Sequence, residues 1–270
     1  MSSSLAGQAL KSSNIPIHDM KRSDEMQNRK AVSRWRRVMG IAGWILLSSS
    51  ATANGVPSAD APGQHFDLAT YKLQTPIAKR DSVEEVAQPA LHDFVAPFFY
   101  FEASTHAMVF HCPDNGATTR GSHFPRSELR DTNEWTFSGQ HTLSASLAVT
   151  QQPSSGNIIV GQIHGNGSGS EALKIRWSKG AVVVGIKTSP GNTEERFTLV
   201  RGLALGDRID YRIAQSDHTV TVTVNGTSKS FTYDHSWDGN TVYFKAGNYL
   251  QDNSASGSAG VVKFYALSDH

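Results

Sequence analysis

Residues 219–224 alternate threonine and valine without a break, and Asn225-Gly226 follows directly. Successive side chains of a strand point to opposite faces, so Val220, Val222 and Val224 share one face and Thr219, Thr221 and Thr223 the other. Asn-Gly supplies both positive-φ positions of a two-residue hairpin, which predicts that residues 227–233 return as the paired strand. The same period recurs along the chain. Leu143, Ala145, Leu147 and Val149 interleave with Thr142, Ser144, Ser146 and Ala148. Further strands are predicted over 98–102, 106–112, 157–164, 172–177, 181–187, 208–214, 241–245 and 260–267. Turn signals such as Pro113-Asp114-Asn115-Gly116 and Ser189-Pro190-Gly191-Asn192 separate them. Only residues 78–86 have helical character. About ten or more short strands with almost no helix imply an all-β fold, two antiparallel sheets packed as a sandwich or jelly roll. No repeat of about 20 to 50 residues is visible, which disfavours a propeller or solenoid.

The N-terminus has a different texture. Arg29, Lys30, Arg34, Arg36 and Arg37 precede an apolar run from Val38 to Leu47, and Ala51-Thr52-Ala53 follows. Basic, apolar and small-residue regions in that order predict an export signal over residues 1–53, cleaved after Ala53, and hence a secreted protein. The apolar run is too short for a membrane span of about 20 residues, so no stable membrane partner is expected. Residues 54–65 read as a linker and 66–270 as the folded domain. Without the first 53 residues the chain keeps 17 basic and 21 acidic residues, a balance of −4. A nucleic-acid binder is expected to hold a basic excess, so that partner class is set aside. Cys112 is the single cysteine and forms no internal disulfide; it is expected to be a small buried residue, and the domain must rely on its core.

Three strand-like segments break the apolar pattern in a concerted way. Arg126, Glu128 and Arg130 have equal parity; so do Gln162 and His164, with Ile159 and Ile163 expected to face a core. Tyr243, Lys245, Tyr249 and Gln251 form a third set if their strand stays regular through Gly247. Side by side, these faces present guanidinium, ammonium, amide, imidazole and phenol groups, a surface suited to a chain bearing carboxylates. In a polyuronate the carboxylate sits on C5, beside the C4 glycosidic oxygen. The C5 hydrogen can be removed only if that carboxylate is neutralised and the enolate-like charge stabilised, for which Arg, Gln and His are suitable donors. A Tyr among cations is suited to take the C5 proton or to return one to O4. The outcome is β-elimination, leaving a 4,5-unsaturated uronate and consuming no water.

Arg126-Ser127-Glu128-Leu129-Arg130 resembles the R-[ST]-E-[LV]-R motif of the alginate lyases of polysaccharide lyase family 7. Gln162-Ile163-His164 resembles their Q-[IV]-H, and Tyr243 to Gln251 resembles their Y-x-K-A-G-x-Y-x-Q. The resemblance runs from about residue 66 to the C-terminus and implies a concanavalin-A-like β-jelly roll. It implies that Arg126, Gln162 and His164 neutralise the carboxylate, that Tyr249 is the acid, and that Tyr249 or His164 is the base. Glu128, Arg130, Tyr243, Lys245 and Gln251 would hold neighbouring uronates or orient the catalytic groups. In this family the Ile of Q-I-H, here Ile163, tends to accompany guluronate-containing substrates.

The rival readings each lack a feature. A non-catalytic carbohydrate-binding sandwich for acidic polysaccharide usually offers aromatic platforms rather than titratable groups. A glycoside hydrolase needs two nearby acids, and Glu128 is flanked by arginines that keep it ionised. No acidic loop of the D-x-D-x-D-G kind occurs, so no catalytic metal and no cofactor are expected. The expected partner is alginate or a related polyuronate, and the expected state a monomer.

Overall fold

The computed structural model describes residues 60–166 and 171–270. The segment read as an export signal and residues 54–59 of the linker lie outside the described residues, as do residues 167–170. Fifteen strands are present among the described residues. In chain order they are β1 (Tyr71–Lys79), β2 (Ser82–Val86), β3 (Phe99–Glu102), β4 (Ala107–Pro113), β5 (Arg126–Asp131), β6 (Gln140–Gln151), β7 (Asn157–Gly165) and β8 (Glu171–Ser178). They continue as β9 (Ala181–Ile186), β10 (Glu195–Val200), β11 (Ile209–Ser216), β12 (Thr219–Val224), β13 (Thr227–Thr232), β14 (Val242–Leu250) and β15 (Ala259–Asp269). Three single 3-10 turns are the only helical pieces described, and none of the described helices is long and apolar enough to cross a membrane.

All pairings are antiparallel and form two open sheets, the jelly-roll sandwich expected. One is ordered β10-β9-β8-β7-β14-β5-β1-β2 and the other β13-β12-β11-β6-β15-β4-β3. Alternation decides what lies between them. From β11 and β12 the core receives Ile209, Tyr211, Ile213, Val220, Val222 and Val224; from β5, β7 and β14 it receives Leu129, Ile163, Phe244, Ala246 and Leu250. Burying each large apolar side chain stabilises the sandwich by roughly 1.5–3 kcal/mol. Cys112 is fully buried, and burial pushes its thiol pKa upward, as suits a packing residue. The β12–β13 hairpin turns at Asn225-Gly226, both at positive φ.

Residues 78–86 correct the helical expectation. They form the end of β1, a turn at Arg80 (φ 51°) and β2, with Ala78 opposite Val83. Pairing with the neighbouring strand outweighs the weak helical propensity of this charged stretch. Ordered contacts also begin before Phe66. Phe101 donates its N–H to the Asp60 carbonyl at 2.8 Å, and Ala61 and Pro62 are buried.

Two irregularities shape the middle of the eight-stranded sheet. Against β5, β14 keeps strict register from Lys245↔Arg130 to Tyr249↔Arg126. Against β7 it slips, Ala246 pairing Gly161 but Tyr249 pairing Ile159. Two residues of β14, Gly247 and Asn248, therefore face one of β7, which is a β-bulge. Gly247 has φ 147°, and a Cβ there would lie 2.8 Å from both the Glu128 Cα and the Ser127 carbonyl oxygen, so only glycine fits. The slip shifts the parity of β7 as well. Ile158, Val160 and Ile163 join the core cluster, whereas Ile159, expected in that cluster, is buried outside it as the neighbour of Tyr249 and Arg176.

Candidate active site

Strand β5 is buried on both faces. Ser127 and Leu129 face inward, and Arg126 and Glu128 are equally inaccessible on the outward face. A carboxylate enclosed in this way requires charged partners. Glu128 has them: Arg126 Nη1 donates to Oε2 at 2.9 Å, Lys245 Nζ lies 2.5 Å from Oε2, and Gln162 Nε2 donates to Oε1 at 2.5 Å. Burial alone would raise the Glu128 pKa, but Lys245 and Arg126 outweigh it and hold the carboxyl below its usual range. Burial and the nearby Arg126 bring Lys245 down to about 7. Its ammonium also donates to Gln74 Oε1 at 2.7 Å, carrying the network onto β1.

Strand order makes these contacts. Lys245 stands between Arg130 on β5 and Gln162 on β7, Tyr243 is opposite His164, and Tyr249 is opposite Arg126. The Arg126 guanidinium covers the Tyr249 ring at 3.8 Å and the Arg130 guanidinium covers Tyr243 at 3.9 Å. Arg126 Nη2 donates to Ser122 Oγ at 3.0 Å, and Ser122 Oγ lies 3.0 Å from the Tyr249 hydroxyl. The Nε–H of Arg126 is buried and has no partner. This guanidinium therefore keeps an unspent donor beside Tyr249.

His164 has a defined tautomer. Its Nδ1 lies 2.8 Å from the Gly165 carbonyl, which can only accept, so Nδ1 carries the proton. The Tyr243 hydroxyl oxygen lies 3.1 Å from the same nitrogen. Nε2 is then left with its lone pair. Burial and the positive Lys245 lower the pKa of the ring to about 4, so the imidazole is neutral at ordinary pH. A neutral ring with a bare Nε2 accepts a proton; it does not neutralise a carboxylate by donating one.

Of the residues expected from parity, Arg126, Glu128, Gln162, His164, Tyr243, Lys245 and Tyr249 are brought together on adjacent strands, and Arg130 joins through Tyr243. Glu128 and Lys245 spend their contacts within the protein, Glu128 on Arg126, Gln162 and Lys245, as suits groups that orient their neighbours. Arg130 is engaged by Glu134 at 2.7 Å. Gln251 falls beyond the end of β14 and its amide donates to the Leu250 carbonyl, away from the cluster. Ser122 was not anticipated. It lies in an irregular loop before β5, where period-two reasoning has no purchase.

A neutral imidazole, a phenol and a guanidinium thus share one sheet face. Comparison with known proteins shows what the chain resembles. The alginate lyase family model matches residues 66–270. An alginate lyase of Klebsiella pneumoniae is 26% identical over 280 residues, covering 78% of this chain and 90% of that protein. The crystal structure of alginate lyase A1-II′, a member of polysaccharide lyase family 7, superposes with a TM-score of 0.71 at 35% identity, over 78% of this chain and 98% of that one. Alginate lyase PA1167 from Pseudomonas aeruginosa gives 0.71 at 31% identity, over 76% and 99%. Variants of A1-II′ with a Tyr replaced by Phe, alone or together with a His replaced by Asn, have been seen with product (GGG) and with substrate (GGMG). The chain belongs to the alginate lyases of polysaccharide lyase family 7.

Proposed function

We propose that this chain is a secreted enzyme that cleaves alginate by β-elimination at guluronate-containing linkages, with His164 as base and Tyr249 as acid. The observation that carries the assignment is the bare Nε2 of a neutral His164 on the same sheet face as the Tyr249 hydroxyl. The substrate carboxylate is taken by Arg126, whose guanidinium covers the Tyr249 ring, and by Gln162, two side chains that Glu128 holds in place. His164 Nε2 removes the C5 proton; that electron pair becomes the C4–C5 double bond as the C4–O4 bond breaks, and Tyr249 delivers its proton to O4. In guluronate the C5 hydrogen and O4 leave from opposite sides, so two groups are needed. In mannuronate they leave from the same side, where Tyr249 can serve both roles. Ile163, and the complexes of A1-II′ with GGG and GGMG, support a guluronate-containing substrate.

The test uses poly-guluronate and poly-mannuronate separately, following the ultraviolet absorbance of the unsaturated product. His164→Asn should abolish cleavage of guluronate linkages and leave a measurable fraction on mannuronate, whereas Arg126→Ala should impair both. Equal residual activity of the His164 variant on the two polymers would remove it from the role of base.

A further inference from the structure

We infer that His218, His235 and Asp238 form a binding site for a zinc-class divalent ion, away from the catalytic residues. His218 is the second residue of the two-residue turn between β11 and β12. His235 opens the 3-10 turn His235–Trp237 between β13 and β14, and Asp238 closes it. One nitrogen of each imidazole and a carboxylate oxygen of Asp238 all lie within 4.8 Å of one another. His218 Nε2 is 2.5 Å from Asp238 Oδ1, and His235 Nδ1 is 3.0 Å from Oδ2. The two rings are 4.2 Å apart.

Donor chemistry selects the ion. Two imidazoles and one carboxylate suit zinc and its neighbours nickel, cobalt and copper; calcium and magnesium prefer all-oxygen shells. Tetrahedral zinc with ligands at about 2.0–2.2 Å places its ligand atoms about 3.4 Å apart. The hydrogen-bonded spacings here need to open by only about 0.5–1 Å to reach that value. Each imidazole coordinates through a ring nitrogen that bears no proton, and the ion takes the place of the hydrogens shared with Asp238, which are released on binding or carried by the other ring nitrogen. Water fills the fourth position.

The main chain beneath the three side chains is already fixed. The His218 carbonyl accepts from the Tyr233 N–H at 2.7 Å, and the Asp238 N–H donates to the His235 carbonyl at 3.0 Å. Asp234 caps the turn through the Ser236 N–H at 2.8 Å, and Trp237 is fully buried with its indole N–H on the Lys187 carbonyl. The remaining freedom is in side-chain torsions, so little order has to be gained on binding. The other exposed pairs, His92 with Asp93 at 2.8 Å and His65 with Asp60 at 3.8 Å, have two members. Among the described residues, only the group at 218, 235 and 238 offers three ligands. Its place in the chain gives it a consequence. The 3-10 turn is the crossover from β13 in one sheet to β14 in the other. An ion held there ties the strand that carries Tyr243, Lys245 and Tyr249 to the β11–β12 turn of the opposite sheet.

The experiment is a titration of tag-free, chelator-stripped protein with zinc chloride by calorimetry, with thermal unfolding recorded in parallel. One equivalent should bind with micromolar or tighter affinity, and Tm should rise by about 5 °C at a hundredfold excess over Kd. His218→Ala and His235→Ala should each weaken binding about tenfold or more. His92→Ala, which removes the unrelated histidine–aspartate pair, should change nothing. His235 is largely exposed, so its variant retains the fold, which lyase activity equal to that of the parent would verify. No saturable zinc binding, unchanged binding in both His218→Ala and His235→Ala, or saturation by calcium in preference to zinc would each overturn the site.

Discussion

At the scale of single residues, the phenol and the imidazole proposed to carry the two proton transfers have different neighbours. Tyr249 lies under the Arg126 guanidinium with its hydroxyl on Ser122 Oγ, while His164 is neutralised by burial and by Lys245. Tyr249→Phe keeps the ring and removes the proton carrier, so kcat should fall at least about 10²-fold while KM changes little. Turnover within a few-fold of the parent would reduce Tyr249 to a packing residue. Ser122→Ala leaves both rings in place and frees the Tyr249 hydroxyl; a loss of about tenfold in kcat at constant KM is expected, and serine-to-threonine exchange should recover part of it. The pH profile follows from the sign of the His164 shift. A pKa lowered to about 4 means that the ring stays a free base well below the 6.5 of an ordinary histidine, so the acid limb of kcat/KM should lie below pH 6. Lys245→Met removes the second-largest cause of that shift, and the limb should move to higher pH.

At the scale of strands, the bulge at Gly247-Asn248 holds β14 in phase with β5 while offsetting it from β7. Gly247→Ala would drive a methyl group into the main chain of β5, and a loss of about 2 kcal/mol or more is expected in denaturant unfolding. Parity in the sequence was enough to place Arg126, Glu128 and Arg130 on one face, because β5 is regular and its inward partner Leu129 leaves no choice of phase. It was enough for Gln162 and His164 too, since they lie beyond the β7 irregularity, but not for Ile159, which lies before it. β1 was not anticipated because Pro76 interrupts an otherwise alternating Tyr71, Leu73 and Thr75, and Pro is a poor strand residue. β10 escaped because it is an edge strand with no buried residue to mark an inner face. The complete burial of Glu128 was equally illegible. Charge runs on strands are ordinarily solvated, and only the lateral packing of β7, β14 and β1 closes this one off.

At the scale of the whole molecule, acid stability depends on ion pairs built into the outward face of the eight-stranded sheet. Glu194 is brought to about 2, burial opposing and Lys174 and Arg176 prevailing, and Glu128 is lowered in the same sense. Lowered carboxylate pKa values contribute stability that is present above about pH 4.5 and lost as pH falls through the folded values. His164 acts in the same direction, since protonating it below pH 6.5 costs the folded state; Asp131, raised to about 6 by burial, opposes this between pH 4 and 6. Tm should therefore decline gradually from pH 6.5 and steeply below pH 4, which a calorimetric series would record. Lyase activity at 25 °C should survive chelation, because no residue placed in the reaction needs a metal; loss with EDTA and recovery with calcium would contradict that mechanism. The bulge also bears on how such a sheet tolerates insertions and deletions. Asn248 faces inward and donates to the Phe110 and Gly260 carbonyls of the other sheet, while Tyr249 faces outward. Deleting one residue at this point would heal the pairing with β7, yet it would turn Tyr249 toward the core and Leu250 toward solvent. The strand thus has a reading frame of its own, and a single lost codon would exchange interior for catalytic surface.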